Sequence, residues 1–410
     1  MSALKYWIWL SNISGIGSVT AALLIRHFGS PEKVYMAQER EYRQVEGIRT
    51  PDIAKLASKN VDETNSILAS CAEMGIRILT IQDAEYPDRL RNIYDPPIVL
   101  YVRGKLPLID EEAVVGVVGT RNCTPYGIGA AENIGYELSR HGLVVSTGLA
   151  RGIDSAVTLG ALRAGGRVIG VIGSGPDIVY PPGNEALFED VVSTGVILSE
   201  YPPGTPAHKT HFPARNRIIS GISLGVAVVE APMRSGALIT ASRALEQGRD
   251  VFTLPGNIDA RSCEGSNALL REGAIPILSA DDIISEYAEL FPDKINLVLE
   301  RPATDEDTGG REQTAVNYGN AAAGNRGNTK KEIDNILTVE YIDLDKILSK
   351  LSGDEKAVAQ VIGNEAQHID DIIVKSALSA QRVLSALTML EISAFVSRER
   401  NGKWKLQTGD

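Results

Sequence analysis

The chain has 410 residues, with 41 Lys and Arg against 52 Asp and Glu and a formal charge of −11. That length suggests two or three domains. That charge excludes a basic, histone-like binder but leaves room for a local cationic groove.

Residues 1–75 read as a helical domain. Leu23, Leu24, His27 and Phe28 are expected on one helix face, and apolar residues recur at 53, 56, 67 and 68. Two glycine turns interrupt the helices, Ile13-Ser14-Gly15-Ile16-Gly17 and Val45-Glu46-Gly47-Ile48. Residues 76–110 hold short extended runs separated by prolines and read as a lead-in to the next domain. From 111 to 298 the pattern becomes strand, turn, helix. Apolar runs occur at 113–118, 143–146, 167–172, 195–198, 225–229, 250–254 and 274–278. Near-continuous apolar strands alternating with helices predict a parallel, Rossmann-like sheet covered on both faces. Residues 299–345 are expected to be a disordered linker, because 301–332 hold almost no large apolar residue. Residues 346–410 read as a winged helix. Three short helices precede a hairpin around Asn401-Gly402, and Val383, Leu384, Leu387 and Leu390 are expected on the buried face of the third.

Three cysteines, Cys71, Cys123 and Cys263, are too few and too scattered for a disulfide framework or a zinc knuckle. No apolar run approaches the ~20 residues of a membrane helix. The opening MSALKYWIWL is too lightly charged for a secretion signal, so a cytoplasmic location is expected.

Gly119-Thr120-Arg121 ends the first parallel strand, where open α/β sheets bind ligands. Gly127-Ile128-Gly129 is half a dinucleotide fingerprint lacking its third glycine, and there is no Gly-Lys-Ser/Thr phosphate loop. No cofactor is expected. Ser146 to Asp154 also joins a strand to a helix, with Arg151 within it. It reads either as a phosphate site or as a tight turn with Asp154 at the helix start.

Residues 201–229 contain no Asp or Glu, so Lys209, Arg215 and Arg217 are not neutralised locally. Phe212 and Asn216 sit among them. Cations plus an aromatic ring are how single strands are gripped without sequence preference. The bland alternative is a solvated basic loop with Phe212 in the core. His208 and His211 have no nearby carboxylate or thiolate to complete a metal site. Ser235 and Gly236 open another helix toward the same rim, and 253–257 and 265–267 add further turns there. No Gly-x-Ser-x-Gly run follows a strand and opens a helix, so no nucleophile elbow supports an enzyme.

These motifs resemble the DNA-processing protein A (DprA, also called Smf) family. The resemblance is carried by Gly119-Thr120-Arg121, the run 146–154, Tyr180-Pro181-Pro182 with Asn184, and the run 211–221. It continues through Ser235 to Thr240, Leu254-Pro255-Gly256 and Gly265-Ser266-Asn267. Thr147 departs from it, since the family more often has Gly or Ser there. The resemblance implies a helix-hairpin-helix (SAM-like) domain, an extended Rossmann-like core and a C-terminal winged helix. It implies a non-enzymatic protein that binds single-stranded DNA, protects incoming strands in natural transformation and helps load the RecA recombinase. Arg121, Lys209 and Phe212 match the family's DNA-gripping positions. Arg151, Arg215, Asn216, Arg217, Ser235 and Gly236 join them as candidates. A homodimer through the core is also implied, with Asn267–Gly273 as a candidate interface. The rival readings are a nucleotide-processing phosphoribohydrolase and a winged-helix duplex-DNA regulator.

Overall fold

The protein is described from a computed structural model covering residues 3–297, 353–362, 367–376, 378–392, 396–398 and 403–406. The linker assigned to 299–345 and the Asn401-Gly402 turn lie outside the described residues. The chain separates into two units, Met1–Ala322 and Ala323–Asp410.

The first unit opens with six helices: α1 (Leu4–Asn12), α2 (Ser18–Phe28), α3 (Pro31–Met36), α4 (Glu39–Tyr42), α5 (Thr50–Ala57) and α6 (Asp62–Glu73). The two glycine turns join α1 to α2 and α4 to α5, with Gly15 and Gly47 at φ 80° and 87°. That left-handed backbone is the conformation glycine adopts without a Cβ penalty. Leu24, Ile53, Leu56 and Ile67 are buried as the periodicity predicts, but His27 is exposed. It falls at the edge of the apolar stripe, where the ring can stay in water.

Strands β1 (Arg77–Thr80) and β2 (Val99–Gly104) flank the short helix α7 (Asp88–Arg91). There follow β3 (Val114–Val118), α8 (Pro125–Arg140), β4 (Val144–Thr147), α9 (Ile153–Arg163), β5 (Val168–Ile172) and α10 (Glu185–Thr194). The unit continues through β6 (Val196–Ser199), α11 (His211–Ile222), β7 (Gly225–Val228), α12 (Gly236–Glu246), β8 (Asp250–Thr253) and α13 (Glu264–Arg271). It ends with β9 (Ile275–Pro276) and α14 (Asp281–Ala288).

All seven expected runs are strands, and together with β1 and β2 they form one nine-stranded sheet in the order β1-β2-β6-β5-β4-β3-β7-β8-β9. From β6 to β9 every pairing is parallel. The segment read as a lead-in does more than connect. Strand β1 pairs antiparallel with β2, and β2 antiparallel with β6, so both extend the same sheet. Period-two alternation lets β2 serve two cores. Val99 and Tyr101 pack with the N-terminal helices, while Leu100 and Val102 pack with the sheet's own helices. The helical domain is therefore seated on the sheet.

The second unit contains α15 (Gly353–Ile362), α16 (Ile369–Ser376) and α17 (Ala380–Ile392), with a small antiparallel sheet. Its strands are β10 (Gln367–His368), β11 (Val396–Arg398) and β12 (Lys403–Leu406). This is a winged-helix arrangement. Val383, Leu387 and Leu390 are buried, but Leu384 is 50% exposed, contrary to the expected face. Each helical residue turns about 100°, which carries Leu384 past the edge of the stripe that starts at Val383.

Candidate functional site

The sheet order reverses beside β3: its chain-order successor β4 lies on one side and β7 on the other. Ligand crevices in open sheets form at such points. Here a cleft of about 370 Å³ opens at the carboxyl ends of β3 and β7. Its walls come from four segments: Val118 to Asn122, Ala150 with Asp154, Phe212 to Asn216, and Pro232 to Ala237.

Close approach of backbone builds this edge. A Cβ on Gly119 would lie 2.5 Å from Ile153 Cγ1, so glycine lets the loop after β3 sit on the start of α9. Gly152 sits at φ 81° just before that helix. Glu230, at the end of β7, is buried, and its Oε2 accepts from both the N–H and the Oγ1 of Thr124 at 3.0 Å. Thr124 in turn caps α8 by accepting from Gly127 N. Glu230 therefore braces the loop that carries Arg121. This gives the strand-end carboxylate a structural task.

Arg121 is exposed, and its guanidinium lies 5.0 Å from the centroid of the half-buried Phe212 ring. Tyr180 is 37% exposed and its ring lies 5.3 Å from Phe212 at 33°. Arg151 and Lys209 are exposed. So is Arg234, a cleft residue that the charge pattern around 201–229 did not reach. Among the described residues, none of Arg121, Arg151, Lys209 and Arg234 is held in an ion pair. Ser235 caps α12 by accepting from Ala237 N at 3.2 Å. The exposed Gly236 opens that helix, so its positive end faces the cleft.

The run Arg215-Asn216-Arg217 divides among three tasks. Arg215 lines the cleft but is 5% exposed. It donates to Val171 O, and burial lowers its pKa to about 10 although Asp154 opposes the shift. Asp154 is buried beside it, with its pKa raised by desolvation against the pull of Arg215. A Cβ on Gly148 would meet Arg215 Nη2 at 2.5 Å, so glycine makes room for this pair. Asn216 donates from Nδ2 to Gly236 O at 3.2 Å and ties α11 to α12. Arg217 lies outside the cleft, bonded to Glu200 Oε1 at 2.7 Å and to Asp95 O at 2.9 Å. Absence of acids in the local sequence did not leave it free, because its partners come from distant strands and loops.

The turns at 253–257 and 265–267 also differ from the sequence reading. Asn267 bonds both the N–H and the carbonyl of Gly256, at 3.0 and 3.1 Å, and Ser266 is buried. They close on each other instead of opening to the cleft. Among the described residues, no group of three His, Cys, Asp or Glu side chains could hold a metal ion. No helix among them is long and apolar enough to cross a membrane.

The cleft thus offers unpaired cations, a helix N-terminus and two neighbouring rings on one edge. Residues 77–288 match the family described as DNA recombination-mediator protein A, and residues 345–402 match the DprA winged helix domain. The chain is 35% identical over 399 residues to Protein Smf of Synechocystis sp., covering 96% of each chain. It is 44% identical over 223 residues to DNA processing protein DprA of Bacillus subtilis, covering 54% of this chain and 75% of that one. Among solved structures it is similar to DNA processing protein A from Streptococcus pneumoniae. That match has a TM-score of 0.61 and 35% identity, and it covers 69% of this chain and 97% of that chain.

Proposed function

The chain belongs to the DNA recombination-mediator protein A family, a family of mediators and not of enzymes, and from that premise we propose that its cleft grips single-stranded DNA without sequence preference. The carrying observation is Arg121 over the Phe212 ring with Arg234 on the wall of the same cleft, both exposed and without a carboxylate partner, while the equally unpaired Arg151 and Lys209 stand on neighbouring loops at the carboxyl edge of the sheet. Unpaired cations release counterions from a phosphate backbone, and a ring stacks on any base. Ser235 and Gly236 add backbone dipole at the start of α12. Arg215 and Asn216 shape the wall, and Arg217 holds α11 from behind.

The mediator role extends the proposal: the bound strand is protected and handed to a RecA-type recombinase in natural transformation or homologous recombination. A homodimer through the core, with Asn267–Gly273 as its seat, belongs to the same proposal. Sedimentation at rising concentration tests it, and a monomer throughout would remove it.

The central test is binding of a labelled ~40-nucleotide single strand and its duplex across a salt series. The expected result is preference for the single strand, with affinity falling steeply as salt rises. Arg121→Glu should weaken binding to every sequence tried. Unchanged affinity in a folded Arg121→Glu protein would sink the assignment of this cleft.

A further inference from the structure

Helix α11 presents Phe212, Arg215 and Asn216 to the cleft, and one residue later it presents Arg217 elsewhere. The Arg217 side chain keeps only 6% exposure. Its Nε donates to Asp95 O at 2.9 Å and lies 3.2 Å from Asp95 Oδ2. Its Nη2 donates to Glu200 Oε1 at 2.7 Å, and its Nη1 to Ala214 O at 2.8 Å.

The same Asp95 carbonyl accepts a second bond, from Ser18 Oγ at 3.2 Å. Ser18 is the first residue of α2, directly after the Ile13–Gly17 turn of the helical domain. One oxygen therefore receives both the helical domain and the helix that carries the cleft's aromatic ring. A second link runs beside it. Glu200 and Tyr201 line a cavity of about 190 Å³ together with Gly17 and Ser18. The Tyr201 ring stacks on His211 at 4.0 Å and 17°, one residue before Phe212.

We propose that Arg217 is a positioning residue that couples the seat of the helical domain to the single-strand grip of α11. The proposal rests on the functional reading given above. Its physical basis is the guanidinium fork, whose donors are held in one plane. If the α2 turn shifts, Asp95 shifts with it. Arg217 must then follow, or be left as a buried charge with fewer partners, which is strongly unfavourable. Following moves α11 and with it Phe212. Occupancy of the cleft and the position of the Ile13–Gly17 turn thus become linked, and linkage acts equally in both directions.

The experiment uses the full chain. Backbone hydrogen exchange is measured with and without a 40-nucleotide single strand, alongside affinities for the wild type, Arg217→Met, Arg217→Lys and Ser18→Ala. In the wild type the single strand should slow exchange at 211–217 and also at 13–21. Arg217→Met should bind about tenfold more weakly, and Arg217→Lys, which keeps the charge without the fork, should fall between. Ser18→Ala should keep the protection at 211–217 and lose most of it at 13–21, which a merely structural serine would not do. It also serves as the test if Arg217→Met does not fold. Absence of protection at 13–21 in the wild type, or wild-type affinity in a folded Arg217→Met chain, overturns the coupling alone. A wild-type chain that binds no single strand overturns the functional reading and the coupling together.

Discussion

At the carboxyl edge of the large sheet, Arg121, Arg151, Lys209 and Arg234 are exposed and hold no carboxylate. In the C-terminal unit, Arg382 on α17 is also exposed, but Asp354 of α15 holds it through two bonds of 2.5 and 2.7 Å. Glu355 borders the same hollow beside Gln381 and Ser385. Residues 346–410 contain nine basic and eight acidic groups, so net charge would favour this unit over the acidic core as a phosphate binder. At Arg382 the placement of charge argues the reverse. A cation already bonded to a carboxylate has little left for a phosphate, whereas an unpaired one displaces counterions at once.

The comparison can be sharpened first at Arg215, an arginine inside the cleft wall that is not a free cation. Arg215→Met strips the buried Asp154 of its charge partner. It should lower stability by about 3–5 kcal/mol, measured by urea unfolding. A loss of DNA affinity with unchanged stability would instead make Arg215 a direct DNA contact. Phe212→Ala comes next. It should weaken single-strand binding by about 1–3 kcal/mol if the ring stacks on a base. A smaller change would reduce Phe212 to a support for Arg121. Single replacements Arg121→Ala and Arg234→Ala should each flatten the salt dependence of binding by about one charge. Parallel salt plots for Arg234→Ala would exclude that residue from the interface. The smallest effect belongs to Arg382→Ala. It should leave single-strand affinity and its salt dependence unchanged, and any marked loss would break the contrast between the two units.

Much of the fold was legible because its signals are local. Strand runs such as 113–118 and 225–229 are apolar along their whole length, and glycine turns punctuate them. The cleft was legible in outline for the same reason, since strand ends and helix starts can be placed without knowing what they touch. Arg234 was missed because it stands outside the acid-free run 201–229. The extended runs in 76–110 were legible, but their place in the large sheet was not, because Arg77–Thr80 pairs with Val99–Gly104 across a proline-rich loop and Val99–Gly104 then pairs with a strand about 100 residues further on.

By itself the amino-acid sequence determined the parallel sheet, the rim on which its turns converge and the types of residue gathered there. These depend on periodicity and on backbone freedom within a few residues. Only the tertiary structure decided which cations are free. Arg215, Asn216 and Arg217 are adjacent in the chain, yet each turns about 100° further round α11. One then meets a buried aspartate, one the start of α12, and one Asp95, which lies 122 positions away. Charge neutralisation is a matter of distance in space, and the sequence orders residues only along the chain.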